Sequence, residues 1–130
     1  MINMPLEEFQ RLVEKAVEDI PEEFKKHLDN VDIGIEIWPT PQDLQSAFVH
    51  PNTILFGLYR GVPKTKRGLY YSGVLPDKIT IFAGPIISMS ENEEEAKHRI
   101  KRTVIHEIGH YFGMTEEAIR RAEEENRTPK

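Results

Sequence analysis

Thr103-Val104-Ile105-His106-Glu107-Ile108-Gly109-His110-Tyr111-Phe112-Gly113-Met114-Thr115-Glu116-Glu117 is the stretch from which the rest of the chain can be placed. It holds His-Glu-x-x-His, a glycine three residues on, and an acidic residue three beyond that. On a helix, residues four apart stand on one face, so His106 and His110 can offer both imidazoles to one metal ion. Glu107 projects about 100° round from His106. It can reach a water held by such an ion without ligating the ion itself. Zinc in a hydrolytic site takes three protein ligands and keeps a fourth position open, and two histidines with one carboxylate meet that count. Ile100, Val104, Ile105, Ile108, Tyr111 and Phe112 make this part of the helix apolar on several sides. The histidines therefore fall where the helix enters the core. Burying the Glu107 carboxylate there is costly without a positive partner, and a divalent ion is such a partner.

Outward from the motif, Ser90-Glu91-Asn92-Glu93 has the capping-box pattern and is expected to open the helix. Glu93 to Glu95 follow at its positive end, then Lys97, Arg99, Lys101 and Arg102 in a polar first half. Gly113 offers a left-handed C-cap, and the reversal it permits could swing Glu116 back beneath the metal. Glu117 competes by one position. Glu123, Glu124 and Glu125 compete from the helix that Thr115 can cap and that should run to about Glu125. Two acids in a first helical turn also need no metal to explain them, because the helix dipole favours them. Glu116 is the expected third ligand, with those alternatives open.

Towards the N-terminus, Leu6, Phe9, Val13, Ala16, Val17 and Ile20 keep a helical period, and Pro21 to Leu28 reads as a second short helix. Val31 to Trp38 alternates with period two and is expected to be a half-buried strand. Thr40-Pro41 should open a short helix running to about Phe48. Ile54 to Tyr59 and Lys78 to Ala83 read as two further strands, the latter ended by Gly84-Pro85. Gly61 to Gly68 is a loop, either a flap over the site or a solvated turn. The expected fold class is α+β (α/β): a short mixed sheet of three to four strands packed on the active-site helix, in one domain over residues 1–130.

Composition removes several function classes. There is no cysteine, so neither a disulfide framework nor a cysteine zinc ribbon can form, and His and carboxylate remain as the strong metal ligands. The net charge of -5 argues against a nucleic-acid partner, which demands a surplus of Lys and Arg. No apolar run is long enough to span a membrane, and Met1 to Pro5 do not begin a secretory leader, so the cytoplasm is the expected compartment. His27 among lysines, His50 before Pro51 and His98 in the polar half of the helix read as structural or surface residues.

His106 to Glu117 resembles the signature of the small bacterial zincin-like metallopeptidases, the minimal zincins. Gly57-Leu58-Tyr59-Arg60-Gly61-Val62-Pro63 and Ser72 to Phe82 are similar to segments of the same family. The resemblance implies a short sheet packed on the active-site helix and zinc held by His106 and His110. It extends to metzincins in Gly113 and in the position of the third ligand. Metzincins carry histidine or aspartate where this chain has Glu116, and their methionine turn has no counterpart, since no methionine follows Met114.

The function expected from these residues is a zinc metallopeptidase acting on peptide or protein substrates, with Glu107 as general base. Tyr70, Tyr71 and Arg67 are candidates to hold the oxyanion only as polar residues on a loop, and a structural role is the simpler explanation for each. Two alternatives stand beside it. One is a metal-binding or protein-interaction module that keeps the helix without catalysis. The other is a metal-dependent endoribonuclease of the ribosome-maturation type. Those enzymes carry a third histidine and no glutamate after the first, unlike this chain.

Overall fold

Alternation in Val31, Ile33 and Ile35 produces β1 (Val31–Glu36), and Ile79, Ile81 and Phe82 anchor β3 (Asp77–Phe82). Between them in sequence comes β2 (Gly57–Arg60), shorter than the strand expected over residues 54–59. The computed structural model describes residues 2–47, 54–61 and 77–127, with side chains as far as 124. His50, the 62–68 part of the expected flap, Arg67, Tyr70, Tyr71 and the last three residues lie outside them. The sheet order is β1-β3-β2. β1 runs parallel to β3, with Ile33 beside Ile79 and Ile35 beside Ile81, whereas β2 runs antiparallel, with Leu58 beside Thr80. The central strand is buried on both faces: Ile79, Thr80, Ile81 and Phe82 are all inaccessible. That burial explains why Ile79, Ile81 and Phe82 crowd its second half.

Helices α1 (Leu6–Glu18) and α5 (Glu93–Tyr111) supply most of the rest of the core. Phe9, Leu12, Val13 and Ala16 of α1 meet Ile100, Val104, Ile105 and Ile108 of α5 in one apolar cluster with Ile79 and Ile81. The α5 helix touches α1, α2 (Glu22–Lys25), α4 (Ala83–Met89), α6 (Glu116–Arg127), β2 and β3, so it is the axle of the fold. A 3-10 turn, Lys26–Leu28, follows α2 and completes the region expected as one short helix. The α3 helix (Pro41–Ser46) is opened by Thr40, whose side chain accepts from Asp43 N–H while the Asp43 carboxylate accepts from Thr40 N–H. Asp43 is buried and also takes a 2.7 Å bond from Arg60, tying α3 to the end of β2.

Two local expectations change. Gly84-Pro85 does not end the chain direction in a loop; it lies in the first turn of α4. Proline is tolerated there because first-turn N–H groups have no helical partner to lose. Gly84 is required by close approach: its N–H reaches Ile37 O at 2.7 Å, and a Cβ would fall 2.5 Å from the Trp38 ring. The cap of α5 is Asn92, which accepts from Glu95 N–H at 2.9 Å, two residues after Ser90. Ser90 instead donates to Ile86 O and closes α4. No described helix is long and apolar enough to cross a membrane.

Candidate metal centre

Helix α5 ends in a Schellman motif that sets where α6 begins. Gly113 has φ +70°, Gly113 N–H reaches His110 O at 3.3 Å, and Met114 N–H reaches Gly109 O at 2.8 Å. This is the double bond pattern in which a glycine at positive φ satisfies the last helical carbonyls. Thr115 then caps α6 by accepting from Ala118 N–H at 3.1 Å. The two helices pack so closely that a Cβ on Gly109 would lie 2.5 Å from Ile119.

This reversal brings the first turn of α6 against the last turn of α5. His106 and His110 have ring centroids 4.7 Å apart. His110 Nε2 lies 3.0 Å from Glu116 Oε1. One ligand atom from each of His106, His110 and Glu116 can be chosen so that all lie within 4.8 Å of one another. Donors in a tetrahedral zinc site with bonds of about 2.0–2.2 Å stand roughly 3.3–3.5 Å apart. The His110–Glu116 pair is already near that spacing, and Glu116, 80% exposed, is free to adjust. Two imidazoles and one carboxylate are also a donor set that zinc accepts. The residues fit the ion.

Two of the competing acids, Glu117 and Glu123, go elsewhere, and the side chain of Glu125 lies outside the described residues. Glu117 is exposed and pairs with Arg121 at 3.4 Å. Glu123, seven residues after Glu116 and so on the same face of α6, is 8% exposed. Its Oε1 lies 2.9 Å from His106 Nδ1, and its Oε2 lies 3.6 Å from Arg102 Nε. An ionised carboxylate can only accept, so Nδ1–H donates and Nε2 keeps its lone pair for a ligand. Sequence reasoning placed Glu123 among possible ligands; its contact is with the far nitrogen of the ring.

Glu107 turns towards the sheet. Its Oε1 accepts from Tyr59 N–H at 2.8 Å. Burial raises its pKa above the usual carboxylate value, while that bond and the nearby His110 and His106 pull the other way without cancelling the rise. Tyr59 is itself fixed: its ring stacks on Tyr111 at 3.9 Å and its hydroxyl donates to Asp77 at 2.7 Å. Phe82 N–H donates to Phe56 O, so the N–H and C=O groups of Gly57 and Tyr59 point away from β3, to the outer edge of β2. Nothing in the local sequence announces this tether, because it spans 48 residues. A cleft of about 280 Å³ follows the edge, lined by Ile54 to Gly57 on one side and Arg99, Arg102, Thr103, His106 and Glu107 on the other. His27 stacks on Phe112 at 4.2 Å, a structural role. His98 is half-buried and stands outside the cluster.

Comparison with known proteins adds to this geometry. A family model described as zincin-like metallopeptidase matches residues 28–126. A conserved hypothetical protein from T. thermophilus has a similar fold, with TM-score 0.53 and 22% identity over 84% of this chain and 94% of that one. No curated protein matches the chain. The family match takes in β1 to β3, the whole of α5 and nearly all of α6, so the chain belongs to the zincin-like metallopeptidase family.

Proposed function

We propose that this protein is a zinc-dependent peptidase in which His106, His110 and Glu116 hold the ion and Glu107 is the general base. The observation that carries the reading is the convergence of those three donors, with Glu107 half-buried next to His106 and lining the same cleft as that histidine. Zinc bound there supplies Lewis acidity, acidifying water and polarising a peptide carbonyl. Glu107 accepts the proton of the attacking water and passes it to the leaving amine. Glu123 keeps the His106 ring in one tautomer. An extended substrate is expected to add to the outer edge of β2, where Gly57 presents its backbone groups.

The test is metal content and peptide hydrolysis in the wild type, Glu107→Gln and His106→Ala. A glutamine at position 107 still offers an amide oxygen to Tyr59 N–H, so the tether to β2 survives while proton transfer does not. Glu107→Gln should therefore keep zinc and lose about 10²–10⁴ in kcat. His106→Ala should lose zinc and cleavage together. If the wild type binds zinc and cuts nothing in a broad peptide library, a non-catalytic metal-binding module replaces the peptidase.

A further inference from the structure

Arg99 and Arg102 lie three apart on α5, on the face that leads to His106, and both line the cleft along β2. Their only ion pairs among the described residues are long: Arg99 Nη2 to Glu95 Oε1 at 3.6 Å and Arg102 Nε to Glu123 Oε2 at 3.6 Å. Both carboxylates are committed elsewhere. Glu95 Oε1 takes Glu91 N–H at 3.3 Å, and Glu123 Oε1 holds His106. Arg99 Nε is buried and has no hydrogen-bond partner. The Arg99 guanidinium is nonetheless held in place, 5.5 Å from the centre of the Phe56 ring. The side chain as a whole is 27% exposed and lines the cleft. The planar guanidinium fork matches a carboxylate.

We infer that this end of the cleft is a carboxylate subsite, and that it selects peptides bearing an acidic side chain or a free C-terminus near the cleaved bond. The inference rests on the peptidase reading and names its substrate class. A rise of about 1.5 Å per residue puts Arg102 roughly 6 Å and Arg99 roughly 10 Å from His106 along the helix. An extended peptide covers about 3.4 Å per residue, so the carboxylate falls two to three residues from the reacting carbonyl. The strand β2 runs alongside α5 in the same sense, since Gly57 meets Thr103 and Gly61 meets Tyr111. A substrate strand added antiparallel to β2, the better-bonded sense, runs towards Arg99. Its carboxylate is then C-terminal to the cleaved bond.

The test compares zinc-loaded wild type with Arg99→Gln, Arg102→Gln and Arg99→Lys on fluorescence-quenched peptides. Asp replaces Asn at one position at a time on each side of the cleaved bond, and each peptide is made as C-terminal acid and amide. The expected result is a preference of about tenfold or more in kcat/KM for Asp at one C-terminal position, or for the free acid. That ratio should fall towards one in both Gln variants and stay intermediate in Arg99→Lys. Dependence on the acid form with indifference to Asp assigns the subsite to the substrate C-terminus. A wild-type ratio near one for every peptide overturns the subsite and leaves the peptidase standing. If no peptide is cut, the peptidase reading fails, and fluorescence anisotropy of the same Asp and Asn peptides on the metal-free protein decides the subsite. Equal affinities would overturn it.

Discussion

In the proposed zinc site Glu116 and Glu123 take different roles on one helix face, and a zinc measurement can separate them. Glu116 stands 3.0 Å from His110 Nε2, whereas Glu123 meets the nitrogen of His106 that faces away from the ligand position. Losing a carboxylate that orients a ligand typically weakens metal binding about 10–100-fold. Glu123→Ala should therefore weaken zinc by about that factor, and Glu123→Gln by less, since the amide oxygen can still accept from Nδ1–H. Glu116→Ala removes a donor outright and should weaken zinc more than Glu123→Ala. Glu117→Ala, at a residue paired with Arg121 on the surface, should leave affinity within about twofold. Chelator competition reads all four, and an order in which Glu117→Ala is the most damaging would reassign the third ligand. The juxtaposition of His106, Glu107 and His110 was legible in sequence because it is local, fixed by helical spacing alone. Glu116 and Glu123 could be only candidates, because which acid meets which histidine depends on the angle of the turn at Gly113 and on the α5–α6 packing.

That packing is the feature of the elements on which the centre most depends. Helices α5 and α6 approach through Gly109, whose hydrogen faces Ile119 where a methyl group would lie 2.5 Å from Cγ1. Gly109 is the x of His-Glu-x-x-His that precedes the second histidine, so its small size sets the distance from the histidines to α6. Gly109→Ala gains up to about 1 kcal/mol of helix propensity but overpacks a filled site at a cost of about 1–3 kcal/mol. The net expectation is a loss of stability in urea denaturation, accompanied by weaker zinc binding as α6 moves out with Glu116 and Glu123. Adding Ile119→Ala opens the space, so the double variant should lose less than the sum of the two singles. An additive cycle would show that the contact does not set the spacing. The elements themselves were mostly readable from period and caps. Helix α4 was not, because Gly84-Pro85 signals a break unless the chain already stands at a helix start, and the fit against Ile37 and Trp38 that puts it there is tertiary.

Across the whole molecule, the sheet order β1-β3-β2 among the described residues puts β3 in the centre and β2 at one edge, beside the site. No local pattern encodes that order, since pairing β1 with β3 joins residues more than 40 apart in sequence. Two ion pairs add to the apolar core in holding the outer pieces to this frame. Asp43 joins α3 to Arg60 of β2, and Asp19, just after α1, joins Lys97 of α5 at 2.7 Å. Both carboxyls are held below the usual range. For Asp19 the Lys97 bond is the main cause, outweighing partial burial. For Asp43 burial pushes upward, and the Thr40 N–H with the Arg60 guanidinium together overcome it. A carboxyl whose pKa is lower in the folded state contributes stability that is fully present above its unfolded value. That contribution is lost as pH falls through the folded value. With unfolded values near 3.8, thermal stability of the metal-free protein should gain nothing from these pairs as pH rises above about 5, and should lose their contribution below about 4. Asp43→Asn should lower the melting temperature at pH 7 and flatten its fall between pH 5 and pH 3, because the variant has no such proton to take up. Asp19→Asn should do the same to a smaller degree, since that pair is more exposed to solvent. An Asp43→Asn profile parallel to the wild type through that window would show that the α3–β2 link contributes no pH-dependent stability.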